Sequence, residues 1–461
     1  MRLPDSFKSS IASLLNEDAD EFFASYKDAA VSGLNVNTLK ITTELFEEKA
    51  CYSIGKIPFA SNGYYVSDTD AWSKHPYYYA GLYYLQEPSA MIPSQILPVR
   101  EGDRVLDLCA APGGKSTNLL LRHPRILVAN DISRTRTIPL VKNLEHRGGD
   151  YAVTCMEPGE LAGEFPGVFD CILVDAPCSG EGMFRKDPAL IASYEERGPG
   201  YYRPIQERIL ESAYEMLCDG GHIVYSTCTF SDIEDEQVML SFLDKHPDII
   251  MLDIPKEYGL CGPYDMYSEC GNISGCVHAF PHRFGGEGHF AALLRKEGTG
   301  IKPVQVHEAS PTLSFKDLPE SAREFFSHCS KDRLALLADS RFIVTADGQV
   351  CIIPEGFSDM YRKSIRYSRT GLIAGTIGRS GRFVPHTAFA LSLTAEDFGN
   401  VIDFDSKDDN ILRYLKGETL ISPGNTGSGF VLVCTDGFPL GFASSDGKKL
   451  KNMYEKGWIY K

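Results

Sequence analysis

Two cysteines and an aspartate stand directly after apolar, strand-like runs in the middle of the chain. Asp175 and Cys178 follow the run ILV in the segment DAPC, and Cys228 follows the run HIVY. The carboxyl ends of parallel strands meet at one edge of a sheet, so we expect both thiols and the carboxylate to face one crevice. A thiol becomes a strong nucleophile once it ionises, and neighbouring groups can promote that ionisation.

A nucleophilic thiol beside an acidic group suits methylation of carbon 5 of a pyrimidine. Carbon 5 of cytosine reacts with a methyl donor only after a group has added at carbon 6, and a thiolate can make that addition. We expect Asp175 to bind the cytosine edge and to offer a proton or hydrogen bond to ring nitrogen 3. A base inside a helix is out of reach, so the target must be single-stranded or flipped. The residues alone do not decide whether Cys178 or Cys228 attacks.

A cofactor loop is predicted upstream of these residues, at positions 105–115 (VLDLCAAPGGK). The pattern is a strand, a loop of small residues and a helix start, which is where α/β sheets bind nucleotide-like ligands. Cys109 stands where a Walker loop needs glycine, and the GxGxxG pattern is missing. The remaining features are two acids at strand ends, Asp107 and Asp131, suited to an ammonium group and to ribose hydroxyls. This arrangement favours S-adenosylmethionine.

The alternation of strand and helix patterns predicts an α/β domain with a mostly parallel sheet over residues 76–296. We expect strands at 104–108, 126–130, 151–155, 169–174, 222–227 and 289–294. Ser231 and Glu234 have the spacing of a capping box at the start of the helix that follows. A small α+β RNA-binding appendage is expected before this domain, at residues 1–75. Residues 297–312 are typical of a linker, followed by units at 313–390 and 391–461, the latter with a hairpin at Asp436 and Gly437.

Composition limits the partners. The 461 residues carry a net charge of −16, so contact with nucleic acid must be local. A basic segment without acids, residues 362–382, is a candidate for that contact, as is a lysine cluster near the end. The cations in question are Arg362, Lys363, Arg366, Arg369, Arg379, Arg382, Lys448, Lys449 and Lys451. Without an apolar run long enough for a membrane span or signal peptide, the chain is expected to be cytoplasmic.

Several motifs resemble those of the Nop/Sun-type RNA cytosine-5 methyltransferases, and within them the bacterial RsmF-type group that acts on small-subunit ribosomal RNA. They are QEPSA (86–90), DLCAAPGGKST (107–117), DAPCSGEGMFRKDP (175–188), YSTCTFSDIEDEQV (225–238) and PHRFGGEGHF (281–290). The tail, with GLIAGTIGRSGRFVPH (371–386) and KGETL (416–420), resembles the C-terminal extension of that group. The resemblance implies a class I (Rossmann-like) methyltransferase domain with a PUA-like RNA-binding module.

The resemblance also implies roles for single residues. Cys228 would be the nucleophile, Cys178 would assist release of the methylated RNA, and Lys115 would reach into the catalytic crevice. Residues expected around S-adenosylmethionine are Cys109, Ala110, Ala111, Pro112, Gly113, Gly114, Lys115, Asp131, Glu157 and Asp175. Residues expected to contact RNA are Arg185, Lys186, Arg379 and Arg382. The implied partner is ribosomal RNA or the small subunit, bound by a monomer.

Three other interpretations remain open at this point. The fold could serve a non-catalytic ribosome-assembly factor, or the enzyme could act on tRNA. An amino-directed base methyltransferase is disfavoured, because that chemistry needs no thiol and usually shows a DPPY-like or NPPY-like loop. Zinc is also disfavoured, since no CxxC pair occurs among Cys261, Cys270, Cys276, His278 and His282.

Overall fold

The computed structural model describes residues 2–67, 69–298, 311–424 and 426–460. Most of the predicted linker, residues 299–310, therefore lies outside the described residues. No helix in the described ranges combines the length and apolar character that a membrane crossing requires.

The N-terminal part forms a small antiparallel sheet in the order β2-β3-β1-β4, with helices around it. Its strands are β1 (Ser32–Val36), β2 (Ile54–Lys56), β3 (Gly63–Val66) and β4 (Tyr83–Leu85). Its helices are α1 (Asp5–Leu15), α2 (Ala19–Ser25), α3 (Thr43–Lys49), α4 (Thr69–Lys74) and α5 (Pro76–Tyr79). The sheet continues past the boundary predicted at residue 75, because Leu85 of β4 pairs with Leu34 of β1.

The central part alternates strands and helices. Its strands are β5 (Arg104–Asp107), β6 (Ile126–Asn130), β7 (Tyr151–Thr154), β8 (Phe169–Asp175), β9 (Leu217–Thr227), β10 (Ile249–Leu252), β11 (Leu260–Cys261), β12 (Val277–Ala279) and β13 (His289–Lys296). Its helices are α6 (Ile92–Ile96), α7 (Gly114–Leu119), α8 (Arg134–Arg147), α9 (Pro158–Glu164), α10 (Leu190–Arg197), α11 (Pro199–Met216) and α12 (Glu236–Lys245). All six predicted strands are confirmed, and with them the Rossmann-like α/β class.

The strands β7-β6-β5-β8-β9 run parallel, and β13 lies antiparallel beside β9. The apolar runs of β5 and β6 are buried along their whole length, as expected for strands covered on both faces. Asp107 pairs with Leu173, and Asp175 pairs with Ser226. The register thus brings the ends of β5, β8 and β9 to one edge, where a parallel α/β sheet binds its ligands.

The predicted capping box at the start of α12 is wrong. Helix α12 begins at Glu236, and no side chain caps it. The Glu234 carboxylate instead accepts hydrogen bonds from the Ser179 backbone N–H (3.0 Å) and from Gln206 Nε2 (2.8 Å). A tertiary contact to the loop after β8 has replaced the local cap, which spacing alone could not reveal.

The next part of the chain packs onto the central sheet. Its helices are α13 (Glu320–Phe326), α14 (Lys331–Asp339), α15 (Phe357–Met360) and α16 (Thr387–Leu391). Its strands are β14 (Leu313–Ser314), β15 (Arg341–Val344), β16 (Gln349–Ile353), β17 (Tyr367–Arg369), β18 (Leu372–Ile377) and β19 (Phe383–Pro385). Five of them form a separate sheet, whereas β17 pairs with β7 and extends the central sheet at its edge.

The C-terminal part is a small β module with one helix. Its elements are β20 (Val401–Phe404), α17 (Asp409–Leu415), β21 (Leu420–Ile421), β22 (Gly429–Thr435), β23 (Phe438–Ser445) and β24 (Lys449–Asn452). The predicted hairpin is confirmed: Asp436 and Gly437 both have positive φ, as a two-residue type I′ turn between β22 and β23 requires.

Candidate active site

A cavity of about 720 Å³ opens at the carboxyl ends of the parallel strands. It lies where the strand order reverses between β5 and β8, which is the usual ligand site of such a sheet. Its wall contains Cys109, Asp131, Glu157, Asp175, Cys178 and Cys228. The structure therefore brings four of the expected cofactor residues and both cysteines into one chamber.

The two cysteines are in direct contact. Cys178 Sγ lies 3.2 Å from Cys228 Sγ, and both residues are partly exposed at the cavity wall. The hydrogen bond to Cys228, together with burial, raises the pKa of Cys178 well above its ordinary value. The structure thus places in direct contact the two thiols between which the sequence alone did not decide.

A charged network stands next to the cysteines. Lys115 Nζ donates to Asp175 Oδ2 (2.7 Å), and Ser226 Oγ donates to Asp175 Oδ1 (2.9 Å). Burial alone would raise the pKa of Asp175, but Lys115 and His289 hold it well below its usual range. Burial alone would lower the pKa of Lys115, but attraction to Asp175 and Cys228 raises it. These directions favour Asp175 as an ionised acceptor and Lys115 as a charged donor, and the contact of Asp175 with the cytosine edge stays a prediction.

The opposite end of the cavity is acidic and partly apolar. Asp131 is almost fully buried, accepts from the Ser133 backbone N–H (2.9 Å) and pairs with Arg136 (3.3 Å). Glu157 is exposed on the cavity wall, and its side chain does not cap α9. Ile132 and Leu108 add apolar surface there. Two carboxylates beside an apolar wall suit the ribose hydroxyls and the base of a nucleoside.

The loop 109–114 is held from both sides. Burial raises the pKa of Asp107 to about 7, and Ser116 donates to one of its oxygens while the other has no partner. Gly113 has φ +111°, a left-handed conformation that favours glycine, and starts α7. Of this loop, Cys109 lines the cavity, whereas the carbonyls of Ala111 and Pro112 accept hydrogen bonds from α8. Ala110 and Gly114 complete the turn behind Cys109.

The residues predicted to bind RNA divide into two groups. The prediction that Arg185 contacts RNA is corrected by the structure. Its side chain is 7% exposed and donates hydrogen bonds to Glu287, to the Ser25 carbonyl and to the Gly286 carbonyl. A guanidinium engaged in this way has no free face for a phosphate. Lys186 is exposed, and so are Arg379 and Arg382 in the turn between β18 and β19. For these three, RNA binding stays a prediction.

Most of the basic segment holds the fold together. Arg362 is buried, with its guanidinium 5.3 Å from the ring centre of Phe165. Arg366 pairs with Glu160 (3.2 Å), and Arg369 pairs with the buried Glu145 (2.9 Å). These partners belong to the central part of the chain. These three arginines were candidates for phosphate contact. They instead connect the segment around β17 to the central part of the chain.

Sequence reasoning missed two residues of the network. Ser226 bonds to Asp175, and His289 Nε2 lies 3.7 Å from Asp175 Oδ1 at the start of β13. Burial lowers the pKa of His289, and its ring is, after Lys115, the second group that lowers the pKa of Asp175. Ser226 could have been found from its place two residues before Cys228 on the same strand face. His289 belongs to the motif at residues 281–290, but no spacing linked it to Asp175, because an antiparallel strand brings it to the site.

The zinc candidates do not gather as a set. Within the described residues, the one group with metal-ligand spacing is Asp235, Glu236 and His278, all buried. His278 Nε2 lies 2.8 Å from Glu236 Oε1, so this imidazole has a carboxylate partner. Of the five residues considered and disfavoured as zinc ligands in the sequence, only His278 belongs to that group.

A class can now be stated from fold and site: a class I methyltransferase with two cysteines beside its cofactor chamber. Family models agree along the chain, with "16S rRNA methyltransferase RsmB/F" at residues 94–295, "N-terminal domain of 16S rRNA methyltransferase RsmF" at 3–88 and "Methyltransferase RsmF PUA domain" at 401–460. The chain belongs to the RsmB/F family of 16S rRNA methyltransferases. It is thus an RNA methyltransferase that uses S-adenosylmethionine, which argues against a non-catalytic assembly factor.

Relatives of similar length support this placement. Ribosomal RNA small subunit methyltransferase F of Vibrio vulnificus is 30% identical over 468 residues, covering 98% of this chain and 96% of its own. The protein of the same name from Aeromonas salmonicida is 29% identical, with the same coverage. Among solved structures, a methyltransferase homolog from Pyrococcus horikoshii has a TM-score of 0.55 at 26% identity, over 64% of this chain and 95% of that one. NSun6 from the same organism, solved with SFG, has a TM-score of 0.55 at 21% identity, over 64% and 99%.

Proposed function

We propose that the protein methylates carbon 5 of cytosine in small-subunit (16S) ribosomal RNA through a covalent cysteine–cytosine intermediate. The observation that carries this proposal is the contact of Cys178 and Cys228, 3.2 Å apart, on the wall of the cofactor chamber. Methylation of an exocyclic amine needs no thiol, whereas carbon 5 chemistry needs a nucleophile at carbon 6. Two thiols in that chamber therefore favour carbon 5.

The residues present fit S-adenosylmethionine. The buried Asp131 is placed for the ribose hydroxyls, Glu157 and Ile132 lie where the adenine would be held, and Asp107 has one buried oxygen without a partner. When bound, the cofactor supplies an electrophilic methyl group. The chain's own contribution is to hold that group beside the two cysteines and to exclude competing nucleophiles.

We assign the nucleophilic role to Cys228. It contacts Cys178, and its attraction to Lys115 contributes to the raised pKa of that ammonium. An ammonium group beside a cysteine is a typical setting for a sulfur nucleophile. The Cys228 thiolate would form a bond to carbon 6, and the electron pair of the 5,6 double bond would move to carbon 5, which then takes the methyl group.

We assign Asp175 and Lys115 to the cytosine edge. Because Asp175 is ionised, it would accept a hydrogen bond from the 4-amino group of the base. Lys115 would donate to a ring acceptor and stabilise the negative charge that develops during attack. Each oxygen of Asp175 has lone pairs left after bonding Lys115 and Ser226.

We assign Cys178 to release of the product. The largest cause of its raised pKa is the hydrogen bond to Cys228. Once Cys228 is bonded to the base, that hydrogen bond is lost, and Cys178 ionises more readily. Its thiolate would then assist the elimination in which carbon 5 loses its proton, the double bond returns and the bond between Cys228 and carbon 6 breaks.

We propose a division of the chain that follows the sheets. The N-terminal unit would end after β4 rather than at residue 75, the catalytic unit would run to about residue 296, and units near 313–390 and 391–461 would help to select the RNA. The exposed cations Lys186, Arg379 and Arg382 would contact phosphate. We further propose that the enzyme acts as a monomer in the cytoplasm on the small subunit or its RNA, in preference to tRNA.

The test is transfer of labelled methyl groups from S-adenosylmethionine to 16S ribosomal RNA, with bisulfite sequencing to locate the product. We expect 5-methylcytosine at discrete positions with the native enzyme and no label above background with Cys228→Ala. Transfer of the label to an exocyclic amine would contradict the carbon 5 assignment. Labelling of tRNA in preference to 16S RNA would move the substrate to the alternative considered above.

A further inference from the structure

We propose that Cys178 and Cys228 are also an oxidation site, which a hydroperoxide converts into a reversible disulfide that switches the enzyme off. Methyl transfer does not need this reaction, so the inference goes beyond the proposed function. It rests on the placement of the two sulfurs, on the loops that hold them and on their access to solvent.

The sheet places the two cysteines on neighbouring chain segments. Strands β8 and β9 are adjacent and parallel, with Asp175 paired to Ser226, and the two cysteines follow these residues by three and two positions. Neighbouring strands lie about 4.8 Å apart, within the Cα separations that disulfides span. The sulfurs are 3.2 Å apart and need to approach by about 1.2 Å to reach an S–S bond.

Hydrogen bonds on both sides hold the two loops together. Before the cysteines, Ser226 Oγ bonds to Asp175 Oδ1 (2.9 Å). After them, the Ser179 and Thr229 hydroxyls lie 2.8 Å apart, and the Gly182 N–H donates to the Cys228 carbonyl (2.9 Å). The sulfurs are thus already adjacent in the reduced protein, and little conformational freedom remains to be lost when the bond forms.

The two sulfurs differ in the way that the reaction requires. The Cys228 thiolate would attack the outer oxygen of the hydroperoxide, which breaks the O–O bond and leaves a sulfenic acid on Cys228 and an alcohol, or water when the oxidant is hydrogen peroxide. The Cys178 sulfur would then attack that sulfenic sulfur and release water, forming the disulfide. Two thiols and one hydroperoxide thus give one disulfide, one alcohol and one water. A thiol reductant reverses the change by exchange.

Access together with sulfur–sulfur contact distinguishes this pair from the other cysteines. Both sulfurs line a cavity large enough for a hydroperoxide, whereas Cys171, Cys276 and Cys434 are buried in the core. Among the described residues, this is the pair of cysteines found in sulfur–sulfur contact. The disulfide would remove the proposed nucleophile, and it would also protect Cys228 from irreversible oxidation.

The test treats the full chain, without RNA or cofactor, with one equivalent of hydrogen peroxide. We expect a mass loss of about 2 Da, a peptide linking Cys178 to Cys228, and full return of both thiols with dithiothreitol. Methyl transfer should fall at least about tenfold on oxidation and recover on reduction. Circular dichroism should not change, because the bond joins groups that already touch.

Three variants make the assignment specific. Cys178→Ala, treated with two equivalents of hydrogen peroxide, should lose the 2 Da shift and instead gain about 32 Da on Cys228, as sulfinic acid, which dithiothreitol does not reverse. Cys228→Ala should show neither change. Cys51→Ser changes an exposed cysteine that is distant in sequence from Cys178 and Cys228, and this variant should behave as the native protein. A linked peptide that persists in Cys178→Ala, or that contains another cysteine, would overturn the proposal.

This outcome is independent of the methylation test. Mass and peptide mapping need no RNA, so a disulfide can form even if the substrate is different from the one proposed. Conversely, an enzyme that methylates cytosine but whose Cys178 and Cys228 stay reduced, while other thiols oxidise, would refute the oxidation site alone.

Discussion

The reactive edge (Asp175, Cys178 and Cys228) and the basic segment (residues 362–382) were both singled out in the sequence, and the structure treats them differently. The reactive edge lies together in one cavity. In the basic segment, Arg362, Arg366 and Arg369 are engaged with the central part of the chain, leaving Arg379 and Arg382 exposed at a turn.

The difference shows which kinds of pattern predict a site. Residues at the carboxyl ends of parallel strands must meet, because the topology of the sheet leaves them no other place. A run of arginines has no such constraint, since each long side chain can reach a carboxylate or an aromatic ring in any direction. Charge clusters therefore predict a binding surface only after their internal partners are known.

The largest expected effect tests the reactive edge. Cys178→Ala should stop after one turnover, with at least about a thousandfold loss of steady-state rate, because the enzyme stays bonded to methylated RNA. A denaturing gel with labelled RNA measures this adduct. Cys228→Ala is the control and should give no adduct; an adduct in Cys228→Ala with none in Cys178→Ala would reverse the two roles.

A substitution in the basic segment should lower the free energy of unfolding rather than the rate of methyl transfer. Arg369→Met leaves the buried Glu145 without its cationic partner. The free energy of unfolding, measured in urea, should fall by about 3 kcal/mol. Burial already raises the pKa of Glu145 to about 7, and loss of Arg369 raises it further. The folded variant then holds its proton to higher pH than the native protein, so the loss of stability should grow as pH rises from about 6 to about 8.5.

A double variant sharpens this result. Arg369→Met with Glu145→Gln removes both charges and should recover most of the lost stability, because no buried charge is left without a partner. If Arg369→Met unfolds no more easily than the native protein but binds RNA more weakly, the segment is an RNA surface after all.

Within the reactive edge, Lys115 should matter less than the thiols. Lys115→Met removes the cation beside Asp175 and Cys228 and should slow methyl transfer about a hundredfold, close to 2.7 kcal/mol. The rate of crosslinking to 5-fluorocytosine RNA should fall in parallel, since addition of the thiolate is the affected step. Lys186→Met, at an exposed lysine nearby, should leave the crosslinking rate at saturating RNA unchanged.

The smallest effect concerns the exposed end of the basic segment. Arg382→Ala should weaken RNA binding by a factor of about five and lower the salt dependence of affinity by about one ion, without changing stability. Filter binding at several salt concentrations measures both. Lys8→Ala, on an exposed N-terminal helix, is the matched control; equal losses in the two variants would mean that Arg382 has no special role.

The sequence by itself determined the strands of the central sheet, the cofactor loop and the convergence of Asp175, Cys178 and Cys228. These follow from short-range patterns and from the rule that parallel strands share one edge. The hairpin at Asp436 and Gly437 was also local, because two adjacent positive φ angles demand that pair of residue types.

Tertiary structure alone decided which charges are free and that the two thiols touch. Arg185 faces Glu287 across 102 positions of sequence, and His289 reaches Asp175 only because β13 lies beside β9. The raised pKa of Cys178 depends on a contact between two loops 50 residues apart. Ionisation and ion pairing depend on distances of a few ångström between side chains, and distances of that size are fixed by packing.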